Sequence, residues 1–159
     1  MVRIVVSVTI DAAPPIVWSA VRDIATHTDW MADAVAIRFT SSTATGVGTT
    51  FDCDTKVGPL RLTDKMEVTD WIEERAMGIR HVGVVTGTGR FSLALTDLGH
   101  TRFTWDEELV FPWWMGGPIG GVVGGPLLKA VWKRNLRSLK ALVESGSAVD
   151  QSTLPTRER

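Results

Sequence analysis

Asp64, His81 and Glu107 are residues of types that move protons, and each falls in an otherwise apolar register. Along a strand, alternate residues share a face. Leu60, Leu62, Met66 and Val68 have the parity of Asp64, and Met77 and Ile79 that of His81. Phe103, Trp105, Leu109 and Phe111 have the parity of Glu107, whereas Arg61, Lys65 and Glu67 alternate outward as solvated residues do. An inward carboxylate is costly unless it is paired, and burial favours its protonated form. Imidazole titrates near neutrality when unperturbed. The three together can supply a general acid and a general base, each worth roughly 10²- to 10⁴-fold in rate. The plainer alternative is that each ties strands together or holds a water, and a single β-bulge would turn any of them outward.

Other side chains suit a binding chamber. Phe51, Trp105 and Trp132 would give it an aromatic lining, with Met66, Phe91, Phe103 and Leu128 completing the apolar wall. Such residues are as readily plain core. Trp30, Trp113, Trp114 and Met115 flank loops and are expected at its entrance. Asn135 interrupts an apolar helical stripe and would either orient a ligand carbonyl or bond to the sheet. His27 and Thr28 read as a helix cap and Cys53 as an inert inward side chain.

Several function classes are disfavoured. With 17 basic and 18 acidic residues the net charge is −1, which argues against a grip on nucleic acid. One cysteine excludes an internal disulfide and a zinc site built from cysteines. Gly87-Thr88-Gly89 lacks the third glycine and the following helix of a dinucleotide site. No phosphate loop or His-rich metal cluster is present, so neither cofactor nor metal is expected. The first ten residues lack the features of a signal peptide, and a cytoplasmic location is expected. Oligomeric state is not fixed by the sequence; a homodimer is compatible with it.

The elements that would position these residues follow from periodicity. Residues 3–10 are rich in β-branched side chains and read as a strand. Pro14-Pro15 opens a helix with Ile16, Val17, Ala20, Val21 and Ile24 on its apolar face. The polar stretch 25–29 precedes Trp30-Met31 and a second short helix. Strands follow at 35–39, 49–57, 60–69, 76–82, 90–96 and 101–111, with glycine-rich turns at 46–48, 58–59 and 83–89; such short links imply an antiparallel meander. From 111 to 128 there is no charge, but six glycines and three prolines make a covering loop the better reading than a membrane span. No stable membrane insertion is expected. Residues 127–144 read as a long helix, with Leu128, Val131, Trp132, Asn135, Leu139 and Leu142 on its inner face and Gly146 ending it. The tail, 146–159, is expected to be disordered.

This order of elements resembles the START/Bet v1-like superfamily, and within it the polyketide cyclase/dehydrase branch. The resemblance rests on Asp11-Ala-Ala-Pro-Pro-Ile-Val-Trp18, His27-Thr-Asp-Trp30, Gly46-Val-Gly-Thr-Thr-Phe51, Met66-Glu-Val-Thr-Asp-Trp71 and Leu136-Arg-Ser-Leu-Lys-Ala-Leu-Val-Glu144. It implies an α+β helix-grip fold over residues 1–145: a seven-stranded curved antiparallel sheet around the C-terminal helix, with two short helices after the first strand. It also implies an internal cavity for a small hydrophobic molecule of polyketide-like, aromatic or isoprenoid character. A fold does not fix a function. Cyclisation or dehydration by acid/base chemistry at Asp64, His81 and Glu107 is the first expectation, and non-catalytic carriage of a lipid or other hydrophobic metabolite the second.

Overall fold

A computed structural model describes the backbone of residues 1–152, and the side chains of these except 118, 119, 121–123 and 147–152. Seven strands form one antiparallel sheet: β1 (Val2–Ile10), β2 (Ala34–Phe39), β3 (Thr50–Val57), β4 (Leu60–Ile72), β5 (Ala76–Val82), β6 (Thr86–Leu95) and β7 (Thr101–Val110). Their spatial order is β1-β7-β6-β5-β4-β3-β2. The six later strands are a meander, and β1 closes the order by pairing with β7. Between β1 and β2 lie α1 (Pro14–Val21) and a 3₁₀ helix (Ile24–Asp29). A long helix, α2 (Gly117–Ser152), packs on β1 across the concave face. This is the helix-grip arrangement.

Composition accounts for most of these elements. Val5, Val6, Val8, Thr9 and Ile10 are β-branched, which suits a pleated strand, and Ile4, Val6 and Ile10 are buried beneath α2. Proline at the first positions of α1 sacrifices no helical bond, since those N–H groups have no partner anyway. Trp132, Leu136, Leu139 and Val143 are buried at spacings of four, three and four, the inner stripe of a helix.

Five expectations are corrected. The glycine-rich stretch is not a loop throughout, because α2 starts at Gly117, well before residue 127. Glycine costs roughly 1 kcal/mol against alanine in a helix, and packing on β1 offsets that local penalty. Gly146 does not end α2, which continues to Ser152, so residues 146–152 are helical; 153–159 lie outside the described residues. The second short helix is the polar stretch 24–29 itself, and Ile24 belongs to it rather than to α1. Strand β6 begins at Thr86, so Gly87 and Gly89 lie inside a strand and not in a turn. Finally, on the helix, Val143 takes the buried place expected of Leu142, which is exposed.

Within α2, Gly120 and Gly124 face different constraints. A Cβ at Gly120 would lie 2.1 Å from the Met115 carbonyl oxygen, whereas one at Gly124 would meet nothing within 4 Å. The same substitution should therefore have opposite signs. Gly124→Ala is expected to stabilise the protein by about 0.5–1 kcal/mol, and Gly120→Ala to destabilise it; urea denaturation of the two variants checks both.

Candidate functional site

Asp64 on β4, His81 on β5 and Glu107 on β7 meet on the concave face. His81 Nδ1 donates to Asp64 Oδ2 at 2.6 Å, and His81 Nε2 donates to Glu107 Oε1 at 2.5 Å. Trp105 Nε1 donates to the other oxygen of Glu107, Oε2, at 2.8 Å. All three ionisable residues are buried. Asp64 Oδ1 is buried without a hydrogen-bond partner, an exception among buried polar atoms that calls for explanation.

Strand register builds this cluster. Met66 opposes His81 across β4 and β5, so Asp64, two residues back, is a diagonal neighbour on the same face. The bulge in that ladder falls between Val68 and Asp70, beyond Asp64, and leaves its parity intact. Glu107 is farther away, because β6 runs between β5 and β7. It pairs with Gly89, which pairs in turn with Ile79. With no side chain at Gly89, the Glu107 carboxylate passes over β6 to His81. A Cβ at Gly89 would come to 3.3 Å from Glu107 Oε1 and 3.1 Å from Ile79 Cγ1. Glycine inside a strand here marks a close crossing. Gly87, opposite His81, meets a different constraint: its φ is +146°, and a Cβ there would lie 1.9 Å from the Glu108 carbonyl oxygen.

The electrostatics follow from the contacts. Both ring nitrogens face carboxylate acceptors, so both carry protons and His81 is an imidazolium. Burial alone would lower its pKa, but the hydrogen bonds and negative charges of Asp64 and Glu107 outweigh it and raise the value to about 10. His27 is the opposite case. Burial pulls it down to about 4, against the smaller opposing effects of the Val21 carbonyl and Asp23. Its neutral ring donates Nε2–H to Val21 O at 2.7 Å, which leaves Nδ1 as an acceptor. Burial also pushes the Cys53 thiol up to about 11, consistent with an inert thiol.

The cluster forms part of the wall of a cavity of about 340 Å³ between the sheet and the first half of α2, within the size range of small-molecule pockets. Of the apolar residues expected to line it, Phe51, Met66, Phe91, Trp105, Met115, Leu128 and Trp132 do so. Trp105 stacks on Trp132 with ring centroids 4.8 Å apart and meets Phe91 edge-on at 5.2 Å. Four other expected residues are placed elsewhere. Trp30 and Phe103 are buried behind the wall, each against Phe91. Trp114 is exposed outside the lining. Asn135 is engaged in tying α2 to the loop before β2: its Oδ1 accepts from Ala32 N–H at 3.0 Å and its Nδ2 donates to Asp33 Oδ1 at 2.6 Å.

Sequence reasoning missed His27 and Asp33, which both line the cavity. His27 sits on a six-residue 3₁₀ helix with no strand parity to reveal it, and Asp33 on a loop. Among the described residues, no group of three or more His, Cys, Asp and Glu is arranged to hold a metal.

The comparisons agree with this architecture. The chain matches the family described as polyketide cyclase / dehydrase and lipid transport over residues 1–144. It belongs to that family. A search of curated proteins by sequence finds no match. Among solved structures, TTHA0849 from Thermus thermophilus superposes with a TM-score of 0.74 at 14% identity, covering 91% of this chain and 99% of that one. The Zhui aromatase/cyclase from Streptomyces sp. R1128 gives 0.68 at 18% identity, covering 89% and 93%. The di-domain ARO/CYC StfQ of the steffimycin biosynthetic pathway gives 0.74 at 13% identity, covering 92% of this chain and 52% of its own length. At such identities the likeness is one of fold.

Two outcomes test the cluster. The folded ring, with a pKa of about 10, holds its proton more tightly than the unfolded ring at 6.5. Its contribution to stability is thus complete below about pH 6.5 and is lost as pH rises through about 10. The stability gap between wild type and His81→Gln, about 3–5 kcal/mol for breaking a buried ion pair, should narrow across that window in urea melts. Separately, Gly89→Val should part Glu107 from His81, and NMR titration should then find the imidazole pKa lowered from about 10.

Proposed function

We propose that this protein binds a small, keto-bearing, largely apolar molecule in the cavity and catalyses its cyclisation or dehydration by proton transfer. The observation that carries this reading is the carboxylate–imidazolium–carboxylate cluster in the wall of an aromatic-lined chamber. Stacked indoles and Phe91 favour a flat, unsaturated ligand. Holding a flexible chain so that two of its carbons approach supplies much of the acceleration by itself.

The roles follow from which lone pairs are free. Glu107 has both oxygens engaged, whereas Asp64 Oδ1 accepts nothing. Asp64 is therefore the base, taking the proton from a carbon alpha to a ligand carbonyl. Once it is protonated, one of the two charges that hold the proton on His81 is gone, and the imidazolium becomes a stronger acid. Its Nε2 proton passes to Glu107 Oε1, and the now neutral carboxyl group gives up its bond to Trp105 and turns that O–H from the ring to the ligand. In cyclisation the alpha carbon bonds to a second carbonyl carbon, and that carbonyl oxygen receives the proton. In dehydration the electron pair left on the alpha carbon forms a C=C bond to the beta carbon as the C–O bond of its hydroxyl breaks, and the hydroxyl leaves with the delivered proton as water.

The carrier reading rests on the apolar lining alone and needs none of the ionised groups. Purified protein offered an aryl poly-β-ketone separates the two: the enzyme returns a cyclised or dehydrated product and the carrier returns the compound unchanged. Asp64→Asn and Glu107→Gln should each lower turnover by about 10²-fold or more with binding retained. Full turnover in both variants would dismiss acid/base catalysis here.

A further inference from the structure

Up to residue 143, the solvent face of α2 carries charge of one sign. From residue 109 to residue 143 the chain has five Lys or Arg and no Asp or Glu. Lys140 is engaged by Glu144 and the Thr9 carbonyl. Lys129, Lys133, Arg134 and Arg137 are exposed, and no carboxylate lies within 4 Å of them among the described residues. At helical spacing Lys129, Lys133 and Arg137 form one row, four residues apart, with Arg134 beside it.

This face runs into the mouth of the cavity. Leu127 is seven residues before Arg134, on the same stripe, and both lines the cavity and is exposed. Leu60 does the same from the sheet side. Just before α2, Trp113 is 87% exposed and Trp114 60% exposed, and the next residue, Met115, lines the cavity. Two neighbouring tryptophans turned to solvent beside an apolar opening are not explained by the core.

We infer that this face docks the protein on an anionic lipid surface, with Trp113 and Trp114 set at the level of the headgroups and the α2 cations against the negative lipids. Tryptophan suits that boundary because its ring is apolar and its N–H polar. Each Lys or Arg close to such a surface strengthens binding by roughly fivefold, and salt weakens it. No helix among the described residues is long and apolar enough to cross a membrane, so the contact is peripheral. An acidic protein would satisfy the cations equally well. It would give no reason for exposed indoles at the mouth of a chamber whose contents prefer an apolar medium.

The test is sedimentation of the full chain with phosphatidylcholine vesicles, with and without about one quarter phosphatidylglycerol, at low and at physiological salt. Binding should require phosphatidylglycerol and weaken with salt. Trp113→Ala should weaken it, and Lys133→Glu with Arg137→Glu should weaken it by about 25-fold or more, two steps of the fivefold effect. Lys133 and Arg137 do not line the cavity, so turnover of a dissolved substrate by that double variant should be unchanged, and this result is independent of the catalytic proposal. Absence of binding to anionic vesicles at low salt would overturn the inference and leave an acidic protein or plain solvation. Equal binding by wild type and both variants would overturn it as well.

Discussion

Everything around the site depends on one buried cation held between two carboxylates from different strands. Breaking such a pair strands a charge in a medium that solvates it poorly, which is far costlier than losing a surface ion pair. The cluster therefore fixes how β4, β5 and β7 sit relative to one another, since any arrangement that parts the three groups leaves a buried charge unpaired. It does so across β6, and that crossing is possible because position 89 adds no bulk to the concave face. Site and sheet are one construction: the residues that hold the charge are chosen together with the glycine that lets them meet.

The hollow beside the cluster has an equally local origin. Along the inner stripe of α2, the second half presents Leu136, Leu139 and Val143, which are buried in solid core. The first half presents Gly120 and Gly124 among the cavity-lining positions. Replacing bulk by hydrogen over two turns moves the packing surface back and leaves space between helix and sheet. At roughly 24 cal/mol per Å³, a volume of about 340 Å³ left empty would cost on the order of 8 kcal/mol. That is comparable with the whole stability of a small domain. Occupation by water or ligand lowers the cost, and a flat apolar ligand restores the lost contacts most fully.

The sequence made the sheet and the charged cluster legible because antiparallel ladders preserve parity between bulges. The two irregularities, at Ala34/Ala36 and Val68/Asp70, both lie outside the stretches carrying Asp64, His81 and Glu107. Where no such periodic rule operates, reading failed. Gly87 and Gly89 look like turn residues in isolation, and only their neighbours across the sheet reveal why each is glycine. Glycine and proline content argued against a helix at 117–126, yet tertiary packing overrode propensity. Asn135 was recognised as a break in an apolar stripe, but its partners, Ala32 and Asp33, are a hundred residues away in the chain.

Stability alone gives no reason for charge at this place. Replacing a buried ionic cluster by apolar residues of similar volume is often neutral or stabilising, and the surrounding wall is already aromatic and aliphatic. A container for hydrophobic molecules would gain from that replacement, since an apolar ligand gives nothing back to Asp64 Oδ1. A catalyst has a use for the arrangement. It holds a proton on a ring whose affinity for it depends on the charge of its neighbours, so a proton arriving at one carboxylate loosens another on the far side of the ring. Under the proposed function, the cost of burying three ionisable groups is explained by a reaction rather than by the fold they sit in.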